Sequence, residues 1–207
     1  MSQALIATQP LVSTEWVAKN LGMPGVRLVE IDVDMSTCAG NGHLPNAVPL
    51  NWTSQLQDQV SRDIISKENF EALLSNAGIT NRDHVVIYGD QNNWFAAYAF
   101  WLFKYYGHEN VSPMNGGRKR WELDGRGFVN EIPDFPRSDY RVSQINAHVC
   151  ADRQFIMGQP DRRSNPARGG ALKEGRHAPT LVGIGSHYPV QFGDSTGYIR
   201  FPVQSLA

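Results

Sequence analysis

The residues of this chain that could do chemistry are few and scattered. Its two thiols, Cys38 and Cys150, are the strongest nucleophiles, but a reactive thiol needs a nearby cation or a helix N-terminus to lower its pKa. Nothing cationic stands beside Cys38 in sequence, so it reads as an ordinary loop cysteine. The pair also lacks CxxC or Cys/His spacing, which argues against a disulfide framework or a structural zinc. Glu30, Asp32 and Asp34 alternate through one apolar stretch. Such a cluster could hold a hard cation; the simpler expectation is one carboxylate buried at a strand end and bonded to a neighbouring loop, with the others solvated. His43, in Gly42-His43-Leu44-Pro45-Asn46-Ala47, could act as a general base, but holding the turn through backbone bonds is the expected role. His177 and His187 are spaced without the logic of a metal site. Neither a metal nor an organic cofactor is expected.

The best-placed polar residues are Gly89 to Asn93, because of what surrounds them. Val85 to Tyr88 is a short β-branched burst, and Trp94 to Tyr106 is apolar almost all the way round at a length only a helix explains. Gly107 can end that helix, Val111 to Met114 can supply a parallel strand, and Asn115-Gly116-Gly117 makes a tight exit into a basic helix start. A polar loop at the carboxyl end of a parallel strand, opening a helix, is where open α/β folds place their chemistry.

The rest of the chain supplies the same alternation. Ser13 or Thr14 can cap a first helix with Glu15, Trp16, Val17 and Leu21, closed by Gly22 and Pro24. Val26 to Val33 reads as a buried strand, and Ala47-Val48 as the entry to a short one. Asn51 to Asp63 reads as a polar, irregular surface loop. Ser66 can cap a helix with Asn69 three residues on, its apolar face Phe70, Leu73, Leu74 and Ala77, its end at Gly78. Repeated βα units predict an α/β fold, a parallel sheet with helices on both faces.

At 207 residues and 41% hydrophobic content the chain can bury a core. No apolar run approaches the roughly 20 residues of a membrane span, and the N-terminus does not read as a signal peptide, so a soluble, cytoplasmic protein is expected. Lys and Arg against Asp and Glu number 10 to 15 in residues 1–136 and 9 to 5 in 137–207. Neither part is basic enough to point to nucleic acid.

Taken in order, LVEIDVD, Gly42-His43-Leu44-Pro45-Asn46-Ala47, VVIYGD, the aromatic helix, Tyr106-Gly107-His108-Glu109-Asn110-Val111, Met114-Asn115-Gly116-Gly117 and Trp121 resemble the rhodanese family over roughly residues 11 to 128. More closely, they resemble the N-terminal half of a tandem-domain thiosulfate sulfurtransferase. The resemblance implies transfer of a sulfane sulfur from thiosulfate to cyanide or another thiophilic acceptor through a cysteine persulfide. It places Gly89 at the position of the family's catalytic cysteine. It also matches Trp94 and Phe95 to aromatic residues that line the cleft between two domains; an ordinary core role for both is equally compatible with the sequence. A helix apolar on this many faces suits burial against a second domain, an interdomain-type contact. No catalytic residue is therefore expected in this chain, and the alternative to an inactive half-enzyme is an inactive rhodanese-like module that binds an anion or a protein.

The expected organisation is a rhodanese-like domain over 1–136, a linker and the start of a second such domain over 137–157, and an unassigned tail over 158–207. In the tail the resemblance stops, Gly and Pro recur, and only Thr180 to Ile184 or Tyr198 to Val203 could be short strands. A poorly ordered tail, out of the ancestral reading frame or left by a truncated gene, is expected. Translation of the other two frames of the encoding DNA should then reveal a CxxGxR-type loop downstream, and its absence would remove that explanation.

Overall fold

The computed structural model describes residues 11–33, 42–61, 63–151 and 198–199. The chain divides into two units, Met1–Asn146 and Ala147–Ala207. In the first unit the order is α1 (Thr14–Asn20), β1 (Val26–Asp32), β2 (Ala47–Asn51), α2 (Trp52–Gln55), α3 (Lys67–Asn76), β3 (His84–Tyr88), α4 (Trp94–Tyr105), β4 (Val111–Pro113) and α5 (Gly117–Leu123). The sheet is parallel with order β2-β1-β3-β4. Val12 bridges in parallel to Met114 and widens it at the β4 edge. The α/β fold expected from the sequence is the fold observed.

β3 is buried at every position and β1 at all but Arg27, the mark of parallel strands covered on both faces. Because successive side chains alternate, Leu28, Val86 and Tyr88 face one way, into a core with Val12, Val17, Leu44, Met114 and Trp121. Val29, Ile31, Val85 and Ile87 are buried on the other face, where α4 packs against β1, β3 and β4.

Helix boundaries follow their caps. Ser13 accepts from the Trp16 amide and Ser66 from the Asn69 amide. The stretch expected to be irregular from Asn51 to Asp63 instead begins with α2, because the Asn51 side chain accepts from the Ser54 amide and Gln55 Oε1 takes the Asn51 amide. A single helical turn is too short to leave a periodic signal.

α4 is covered by aromatics of its own domain over most of its length. Phe70 of α3 stacks on Tyr106 at 4.6 Å and meets Phe103 and Tyr140 edge-on, while Tyr98, Trp101 and Tyr105 form a continuous row. Tyr140 arrives from the extended segment that follows α5 and is buried, its hydroxyl against His108.

In the second unit a 3₁₀ turn at Ala147–Val149 precedes β5 (Cys150–Ala151), which pairs antiparallel with β6 (Tyr198–Ile199). Thr180 to Ile184, His177, His187, Asp34 and Cys38 lie outside the described residues.

Phe70 sits at the centre of the aromatic cluster with no exposed surface. Phe70→Ala is expected to cost about 3–5 kcal/mol through lost burial and the cavity left behind, measured as a lowered midpoint in urea unfolding.

Candidate functional site

The carboxyl ends of β1 and β3 converge on a buried polar network. Glu30 and Tyr88 are register partners on adjacent strands, so their side chains stand on the same face. The Tyr88 hydroxyl donates to Glu30 Oε2 at 2.9 Å and accepts from the Leu44 amide at 2.9 Å. Arg118, from the first turn of α5, donates from Nη1 to Glu30 Oε1 at 2.6 Å and from Nη2 to the Gly42 carbonyl at 2.6 Å. Its Nε lies 3.7 Å from Asp90 Oδ1, and its guanidinium caps the Phe128 ring at 4.3 Å.

Both charges are out of solvent, and each would be untenable alone. Burial pushes Glu30 above the usual carboxylate range, with Arg118 and the Tyr88 hydroxyl pulling it back. Burial likewise opposes the charge on Arg118, but Glu30 outweighs it and Arg118 is held up. Of the three carboxylates considered as a metal cluster, Glu30 is thus committed to Arg118. Asp32 is also buried and accepts from the Asp90 amide at 3.0 Å. Among the described residues no group of three or more His, Cys, Asp or Glu is arranged to hold a metal.

His43 is buried in the turn before β2. Its backbone exchanges hydrogen bonds with Val129, and its Nδ1–H donates to the Leu44 carbonyl at 2.9 Å, a direction fixed by the carbonyl being acceptor only. It holds the turn and does not reach the loop after β3.

That loop is folded tightly on itself. Gln91, Asn92 and Asn93 all have positive φ, at 51°, 56° and 64°. L-residues adopt this region at a cost, asparagine least reluctantly. Asn93 clamps the conformation: its Oδ1 accepts from the Gly89 amide at 3.1 Å and its Nδ2 donates to the Met114 carbonyl at 2.6 Å. The amides of Gly89 and Asp90 are therefore taken by side chains of the protein itself.

Glycines make this closeness feasible. A β-carbon at Gly117 would lie 2.2 Å from Asn93 Oδ1, and one at Gly89 would lie 2.2 Å from the Ile31 carbonyl oxygen. The space that a side chain at Gly89 would need is thus filled by the backbone of β1. Cys150 is exposed on β5 of the second unit.

At the far end of the loop the chain presents aromatic surface. Trp94 is 38% exposed, Phe95 is half-buried, and their rings lie parallel at 6.4 Å. Trp52 of α2 backs Phe95 at 5.0 Å and Tyr98 at 5.7 Å. Its contact with Phe95 spans a sequence gap that no local pattern encodes; the Asn51 cap was the available signal.

Residues 13–124 match the family model described as "Rhodanese-like domain". The chain belongs to the rhodanese-like family. Relatives of this rhodanese-like chain include a Haloferax volcanii protein named "Putative thiosulfate sulfurtransferase", 50% identical over 78% of this chain and 58% of its own length. Another is the "Sulfur carrier protein TtuD" of Thermus thermophilus, 44% identical over 71% of this chain and 51% of that protein. The chain spans about half the length of the relatives it matches. In fold, it superimposes on Escherichia coli SseA, described as a 3-mercaptopyruvate sulfotransferase with the rhodanese fold. The TM-score is 0.66 at 20% identity, covering 72% of this chain and 61% of that one.

Two substitutions probe the geometry. Arg118→Ala, which leaves Glu30 buried without its partner, is expected to destabilise the domain by about 3–5 kcal/mol in chemical denaturation. Gly89→Ala is expected to cost about 1–3 kcal/mol through overpacking against the Ile31 carbonyl; a melting temperature unchanged from the parent would show that the loop gives way freely.

Proposed function

We propose that this rhodanese-like domain is the non-catalytic, N-terminal partner of a two-domain thiosulfate sulfurtransferase, and that the chain by itself transfers no sulfur. The observation that carries the reading is the β3–α4 loop, which holds no thiol and has no room for a β-carbon at Gly89. The names and lengths of the relatives support the reaction class and the two-domain arrangement.

In that reaction a cysteine thiolate attacks the outer sulfur of thiosulfate. The S–S bond breaks, sulfite leaves with the electron pair, and a persulfide remains on the enzyme. A thiophilic acceptor such as cyanide then takes the outer sulfur, giving thiocyanate and regenerating the thiolate. Both steps need a thiolate held by amide donors. Here the corresponding amides, of Gly89 and Asp90, are occupied by Asn93 and Asp32, and the nearest guanidinium is balanced by Glu30 and Asp90. The domain's contribution is then a wall: Trp94 and Phe95, backed by Trp52, present an apolar surface against which a persulfide is shielded from water. Residues 137–157 are the connection toward a second domain, and the reducing cytoplasm suits the thiol chemistry.

A second reading, a docking module without enzymatic role, is favoured by the same exposed Trp94. With the loop amides already filled, its partner is a protein surface and not a small anion.

A thiosulfate:cyanide assay on the purified chain decides the first claim. Thiocyanate is expected to stay at the level of the protein-free control, in the parent and in Gly89→Cys alike. Turnover abolished by Cys150→Ser or Cys38→Ser would overturn the assignment by locating a nucleophile elsewhere in the chain.

A further inference from the structure

After α5 the chain runs back across the domain as an extended strap. Ser138 donates its amide to the Ser75 carbonyl at 2.9 Å and its hydroxyl to the Ile79 carbonyl. The Tyr140 amide donates to Ser75 Oγ at 3.0 Å, and Arg141 exchanges hydrogen bonds with the side chain of Asn81. Val142 donates its amide to Glu71 Oε1 at 2.9 Å. Asn146 closes the strap, donating its amide to the Tyr105 carbonyl at 2.7 Å and Nδ2 to the Lys104 carbonyl at 2.8 Å. One side chain of the strap enters the core: Tyr140, 1% exposed, between Phe70 and His108.

We infer that His108 and Tyr140 form an acid-labile clasp that releases residues 137–146 from the domain as pH falls. His108 Nε2 faces the Asp83 carbonyl at 3.1 Å, an acceptor only, so Nε2 carries the proton and Nδ1 is a bare acceptor for the Tyr140 hydroxyl at 3.2 Å. A second proton on His108 must go to Nδ1. The Tyr140 hydroxyl then has to turn its lone pair to the ring and is left with a buried, unplaced O–H. The charge itself is buried at a site 3% exposed.

The Asp83 and Asn110 backbone carbonyls favour the charge, but burial outweighs them. Lys104 of α4 opposes the charge, the Asp83 carboxylate favours it but is engaged by the Thr80 amide, and Glu109 is paired with Lys104 at 3.1 Å. From α3, Glu71 acts on Tyr140 and receives Val142, Arg141 at 3.5 Å and Lys67 at 3.9 Å. Burial accordingly holds His108 below the usual imidazole range. The sign follows: docking binds the neutral ring, so the clasp has its full strength above the free-imidazole value of about 6.5 and loses it as pH falls from there toward the lowered value. Docked, the strap fixes where the chain leaves the domain; released, it becomes slack tether for whatever follows.

Hydrogen exchange read by mass spectrometry on the full chain, corrected for the intrinsic pH dependence of exchange, tests this. Between pH 7.5 and 5.5 the protection of 137–146 is expected to fall by at least about tenfold while β1 and β3 keep theirs. His108→Gln should flatten that dependence, and Tyr140→Phe should loosen the strap already at pH 7.5. Strap protection that is unchanged with pH, that falls only in step with β1 and β3, or that keeps its full pH dependence in folded His108→Gln would each overturn the proposal.

Discussion

The ion pair between Glu30 and Arg118 is the interaction on which the arrangement of this domain turns. It joins the end of β1 to the start of α5, with Tyr88 of β3 and the Gly42–Leu44 turn bonded to the same two groups. Net stabilisation by such a pair is small, because removing two charges from water offsets most of their attraction. Its consequence is positional. Arg118 can reach Glu30 and Gly42 together only if α5 starts where it does, and that start presses Gly117 against Asn93. The shape of the loop after β3 is therefore decided by a charge pair on another element.

That loop turns its backbone amides onto the protein's own side chains. Asn93 and Asp32 accept from the amides of Gly89 and Asp90, and the β1 backbone stands where a β-carbon would project from Gly89. Three consecutive residues with positive φ are the conformational cost, tolerated because Asn93 is bonded at both ends of its carboxamide. The geometry is that of a turn bonded internally through Asn93. Any side chain introduced at Gly89 would meet the Ile31 carbonyl before its own chemistry came into play.

Aromatic packing divides α4 into two parts. From Ala96 onward it is clasped by Phe70, Tyr106, Tyr140 and its own row of rings, so the apolar character of the helix is largely spent inside the domain. Its first turn sets the exposed Trp94 and the half-buried Phe95 at the carboxyl edge of the sheet, where open α/β folds meet their ligands and partners. On the proposed reading, its location beside a loop whose amides are already taken suits a neighbouring domain better than a small anion.

Much of this was legible in the residues. The apolar burst Val85–Tyr88 and the mostly apolar stretch Val26–Asp32, alternating with capped helices, point to a parallel sheet, since strands with no consistently polar side need burial on both faces. Ser13, Ser66, Gly107 and Gly116 marked element ends through local backbone chemistry, which sequence carries directly. What the sequence left open were pairings between distant side chains. Glu30 looked like one carboxylate among three until Arg118, 88 positions on, was brought to it. Trp52 lay in a stretch read as irregular until it met Phe95, and Tyr140 in a linker until it reached His108. Propensity, capping and periodicity act within a few residues and are written in order along the chain. Desolvated charge pairs and ring contacts exist only when the sheet has placed their carriers side by side, so tertiary structure alone decided them.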